Sequence, residues 1–139
     1  MNYSELIQLY FERSNALQSY WTLYVVIVGG LLAFSSLRKT PAPLTTLIVS
    51  ILFLLFAYEN HDAIQVATKQ RLATFEAVKQ SGTNATADET KTLRGLIEPT
   101  LKPATPDSVR LTHLISDVLT VAGLWVMELK RRKMTVVAS

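Results

Sequence analysis

Cysteine is absent from the chain, which excludes disulfide staples, thiol nucleophiles and cysteine-ligated metals. Histidine occurs only at His61 and His113. There is no Gly-x-Ser-x-Gly elbow, no His-Glu-x-x-His helix, no phosphate loop and no intramembrane acid pair. No enzyme and no cofactor are therefore expected. The net charge of +3 is mild and no aromatic-plus-basic groove pattern occurs, so nucleic acid is a poor partner for this chain. Charge is also missing in blocks. Tyr20 to Leu37 and Leu44 to Tyr58 carry none, and Leu111 to Met127 carries only Asp117 together with His113.

What is present is apolar, and it is concentrated. The apolar fraction of 49% is ordinary for a globular chain, but a soluble domain of 139 residues would spread it along amphipathic faces. Blocks of about 20 apolar residues instead match the length needed to cross hydrocarbon. The expected fold is all-α: a single polytopic membrane domain with three transmembrane helices, at about 19–37, 43–59 and 109–128. An amphipathic helix precedes the first span and an extramembrane stretch of about 60–108 joins the second to the third.

Local signals support these elements. Asn2 with Glu5 three residues on resembles a capping box. Leu6, Tyr10, Leu17 and Trp21 then recur at helical spacing, so Tyr3 to Gln18 reads as an amphipathic helix entering the first span directly. Tyr20, Trp21 and Tyr24 sit where an interfacial aromatic belt lies. The front of the chain lacks the basic start and small-residue cleavage site of a signal peptide, and the apolar run is expected to be retained as an anchor. Arg38 to Pro43 is a short turn, and proline suits the first turn of a helix. No breaker follows Tyr58, which predicts one helix from Pro43 to Lys79 that extends past the bilayer. A stretch from Ser81 to Asp107 carries one short helix, Glu89 to Ile97. Thr105-Pro106-Asp107 then reads as a helix start, with an acid at the positive end of the dipole. Lys130 to Lys133 is expected to end the third span, either as a topology stop alone or also as an attractor of anionic lipid head groups.

Arg38, Lys39 and Lys130 to Lys133 fall on one side of this arrangement. The connection from Glu59 to Arg110 balances seven basic residues against seven acids. Basic residues flanking short loops favour the cytoplasm, so the amino terminus is expected outside and the carboxyl terminus inside a plasma or inner membrane.

Asp117 is the most informative residue, because an acid in mid-span costs several kcal/mol. His113 and Arg110 share its side of the helix, and Ser116 and Thr120 widen that polar face. Leu111, Ile115, Val118, Ala122 and Trp125 form a separate apolar stripe. Two roles fit the polar face. It is either a relay or pore lining, or a structural tie from Asp117 to Ser50, Thr46 or Thr22. Arg110 is expected to snorkel to the interface. Gly29 and Ala33 are small residues one turn apart, on a stripe that includes Thr22 and Ser36, and such spacing lets helix backbones approach closely. Ser50 marks the small edge of the second span. Glu59, His61 and Asp62 are chemically suited to a divalent ion but lack a tight ligand motif, so no metal is expected. Asn84-Ala85-Thr86 matches a glycosylation sequon. The leading expectation is a small membrane subunit acting by association, with itself or with other membrane proteins. The alternative is an oligomeric ion or proton channel. A lipid or metal binder comes third.

Overall fold

In the computed structural model, which describes residues 2–81 and 88–137, four α-helices follow one another: α1 Tyr3–Leu37, α2 Pro43–Ser81, α3 Asp88–Ile97 and α4 Pro106–Val137. A 3-10 turn, Glu98–Thr100, follows α3, and no strand occurs among the described residues. The all-α class is thus as expected. The Asn84 sequon lies outside the described residues.

Local chemistry starts the helices where the sequence indicates. The Asn2 side chain accepts the Glu5 N–H at 2.9 Å, and the Glu5 carboxylate accepts the Asn2 N–H at 2.8 Å. The backbone turns extended at Arg38 to end α1. At α4 the Thr105 hydroxyl accepts the Ser108 N–H at 3.3 Å. Between these points nothing interrupts α1 or α2. Their 35 and 39 residues are rods of about 52 and 58 Å at 1.5 Å per residue. One boundary differs from expectation. Lys130 to Lys133 does not stop α4, which runs on to Val137. Basic side chains end an apolar run without disfavouring helix, since Lys and Arg are good helix formers.

α1 and α2 form an antiparallel hairpin. Leu6 and Tyr10 of α1 meet Val78 of α2, with Leu101 from the segment after α3 in the same cluster. Further along, Leu17 packs with Ile64, Ala67 and Val109, and α4 joins the hairpin from there. Tyr24, Phe53 and Ala57 continue the core beside Val121.

Where the three long helices run together, the usual order of polar and apolar is inverted. Ser35, Thr46, Ser50, Asn60, His113, Thr120, Glu128 and Arg131 are buried. Val25, Val26, Leu52, Leu55, Val118 and Leu119 are each 60% or more exposed. Only 11%, 28% and 22% of the most apolar stretches of α1, α2 and α4 are buried inside the chain. All three helices are long and apolar enough to cross a membrane. The stripe Leu111, Ile115, Val118 and Ala122 faces outward as expected, while Trp125 is half-buried.

Candidate functional site

Two buried polar clusters stand between the long helices, one at each end of the apolar belt. The first is centred on Asp117. α4 places His113 one turn before it, and the His113 Nδ1 lies 3.0 Å from one carboxylate oxygen. The other oxygen accepts the Tyr24 hydroxyl of α1 at 2.8 Å. On the far side of the imidazole, Nε2 lies 3.3 Å from the Asn60 side-chain oxygen of α2. Asn60 in turn donates its amide to the Tyr20 carbonyl at 3.3 Å. Three helices are tied by one chain of hydrogen bonds.

The donors and acceptors in that chain can be fully accounted for. Asn60 uses its amide on Tyr20, so its oxygen faces His113 and Nε2 must carry the hydrogen. A hydrogen between Nδ1 and the Asp117 carboxyl, carried by either atom, would complete the last bond of the chain. The atoms along this chain are paired as buried polar groups require, while Nδ1 of the neighbouring His61 is buried without a partner. The rings reinforce it: Tyr24 and His113 centroids are 4.4 Å apart, and Trp21 and His113 centroids 5.7 Å apart. His61 adds an edge-on contact with His113 at 5.0 Å.

The second cluster is centred on Glu128, which is fully buried. One carboxylate oxygen accepts from Arg131 at 3.0 Å and from the Thr46 hydroxyl at 3.2 Å. Arg131 also donates to the Ser35 carbonyl at 2.7 Å. Arg38 approaches the same carboxylate at 3.7 Å and donates to the Ala42 carbonyl at 3.2 Å, which clamps the turn between α1 and α2. A buried acid is tolerable only when paired in this way. The two clusters are separated by the same eleven residues in α1, Tyr24 to Ser35, and in α4, Asp117 to Glu128, about 16 Å of helix. Phe53 and Leu124 fill the space between at 2% and 1% exposure. The hydroxyls of Ser50 and Thr120 in this layer donate to their own helix backbones.

This geometry brings some of the residues singled out from sequence together and leaves others apart. Asp117, His113 and Thr120 lie between the helices, with Ser116 at the edge. The tie from Asp117 runs to Tyr24 and not to Ser50, Thr46 or Thr22. Thr46 is engaged with Glu128 and Ser50 with its own backbone, while Thr22 is exposed. Arg110 is exposed, apart from the buried pair. Gly29, Ala33 and Ser36 are exposed, whereas Ser50 is buried. A Cβ added at Gly29 would meet nothing within 4 Å. Glu59 and Asp62 are exposed, and no group of three or more potential ligands gathers among the described residues. Sequence reading missed the Glu128–Arg131 pair. Its signal was the i, i+3 spacing of opposite charges at the end of an apolar run. No protein family, curated protein or solved structure matches the chain.

Proposed function

We propose that this chain is an integral membrane protein with three spans, at about 19–37, 43–59 and 109–128, that works by association with copies of itself or with other membrane proteins. The inverted packing supports the spans: apolar side chains turned outward are stable in hydrocarbon, and polar groups there must find partners inside the protein. Arg38, Lys39, Lys130, Arg132 and Lys133 share one end of the bundle. They orient that end, with the carboxyl terminus, toward the cytoplasm of a plasma or inner membrane. The paired outer halves of α1 and α2 then project on the opposite side with the amino terminus.

One observation carries the association reading. The small residues Gly29 and Ala33 lie one turn apart on an exposed face of α1, and a Cβ at Gly29 would meet nothing within 4 Å. In lipid, such a pair gives another helix a close approach that bulky residues deny. Gly29→Leu and Ala33→Leu should each lower the oligomer or complex mass in mild detergent while membrane insertion is unchanged. Unaltered mass for both variants would remove the basis for this reading.

An oligomeric proton channel is the second reading, and one observation favours it. Asp117, at 14% side-chain exposure, opens onto a groove of about 490 Å³ between α2 and α4, lined by Leu54, Leu114, Val118, Val121 and Ala122. The complete pairing of Asp117 and His113 favours the structural role over it.

A further inference from the structure

The basic end of the bundle carries a second groove, of about 250 Å³, between the end of α1 and α4. Ser36, Arg38, Met127, Lys130, Arg131 and Met134 line it. From this groove we infer a binding site for the phosphate diester of an anionic phospholipid.

Three features make the argument. First, the charge is unbalanced. Arg38, Lys130 and Arg131 line the groove, Arg132 stands 3.6 Å from Glu128, and Glu128 is the one carboxylate among them. A single acid cannot neutralise four cations, and the surplus favours an anion. Second, the site has a buried donor to spare. Arg131 is 5% exposed and commits both terminal nitrogens to Ser35 and Glu128, yet its Nε hydrogen is buried without an acceptor. A buried donor left unmade costs about 1–3 kcal/mol; Glu128 Oε1 beside it is likewise without a hydrogen-bond partner, and a phosphate oxygen that reached Nε would remove the donor's share of that cost. Third, the lining is chemically divided. Met127 and Met134 offer flexible apolar surface beside the cations, suited to the glycerol and upper acyl segments that accompany a lipid phosphate. The groove also sits where the apolar belt of α4 gives way to basic residues, the depth of the head groups in the three-span arrangement. Basic pockets between spans on the cytoplasmic side are a recognised setting for anionic head groups. The apolar half of the lining selects a lipid phosphate over the free ion.

The inference rests on the membrane reading above, and the two fail differently. A chain that does not insert loses every lipid alike and is extracted by alkaline carbonate. Failure of this site alone leaves insertion intact and removes the preference. The test is native mass spectrometry of the purified full chain, with phosphatidylglycerol and phosphatidylcholine of identical acyl chains at equal amounts. Inorganic phosphate is run as a separate arm. The expected result is a one-lipid adduct favouring phosphatidylglycerol, weakened about fivefold by Lys130→Gln. Lys133→Gln removes the same charge from an exposed neighbour outside the groove and should change the preference less than about twofold. Equal retention of the two lipids overturns the inference. So does an equal loss in the two lysine variants, which would mean diffuse attraction to the basic end. Inorganic phosphate that displaces the lipid at equal concentration overturns the assignment to a lipid.

Discussion

Replacing Asp117 by Asn and by Leu separates hydrogen bonding from ionisation in the cluster that ties the three long helices together. Asn keeps an oxygen for the Tyr24 hydroxyl and presents an amide hydrogen to His113 Nδ1. Nε2 then holds the imidazole hydrogen for Asn60. Every bond of the native chain therefore has a counterpart, and the expected change in stability is within about 0.5 kcal/mol. Leu removes both acceptors. His113 loses the partner of its Nδ1 and keeps the Asn60 contact at Nε2. Tyr24 loses a 2.8 Å bond, with the Ser116 and Thr120 hydroxyls close enough to take part of it. Each buried unsatisfied group costs about 1–3 kcal/mol, while interhelical bonds in membranes average only about 0.6. The two sites together should therefore cost about 2 kcal/mol. Reversible unfolding in bicelles, followed by far-UV circular dichroism, measures both variants. Asn as damaging as Leu would refute the hydrogen-bond accounting. Proteoliposomes with an internal pH dye complete the experiment. A wild-type proton flux abolished by Asn at unchanged stability would make ionisation, not cohesion, the task of Asp117.

The second cluster should respond more strongly. Glu128→Leu leaves Arg131 buried without its carboxylate and should cost about 3–5 kcal/mol in the same unfolding assay. Glu128→Leu combined with Arg131→Leu should recover much of that loss; a double variant worse than the single one would mean Arg131 is held mainly by Ser35. Orientation can be read from single cysteines in this cysteine-free chain. Lys102→Cys should react with an impermeant maleimide on intact cells and Lys133→Cys should not, and the reverse pattern would invert the proposed topology.

Helices and their starts were legible because the responsible contacts are local. Asn2 and Glu5, or Thr105 and Ser108, are three residues apart, and the sequence displays both partners at once. The same holds for His113 and Asp117, one helical turn apart. Tyr24 lies 93 residues from Asp117, and aromatic residues near a span end read equally well as an interfacial belt. Only the parallel register of α1 and α4 makes it a ligand of the acid. Glu128 and Arg131 failed for another reason. A basic run after an apolar one has a sufficient explanation as a stop signal, and nothing in the run marks Arg131 as a buried donor. The exposure of Gly29 and Ala33 was equally beyond sequence, since a small-residue stripe looks the same whether it faces a neighbour in the chain or the lipid.

The continuity of α1 and α2 past the apolar belt has a mechanical consequence. Neither helix has a proline, a wide turn or a loop at the boundary, so there is no hinge there to absorb a displacement. Their outer halves are fastened to each other through Leu6, Tyr10 and Val78, which makes the pair a lever arm and not two loose ends. Force on the tip is delivered as torque at its base, where Tyr24 and Asn60 grip His113 and Asp117. Tilting an arm of about 30 Å by about 10° moves its tip by about 5 Å. At the base, where a hydrogen bond is already weak beyond about 3.5 Å, the same rotation acts on bonds with little slack. Uninterrupted helix joins the outer end of this molecule to its polar cluster, so a load on either has a path to the other.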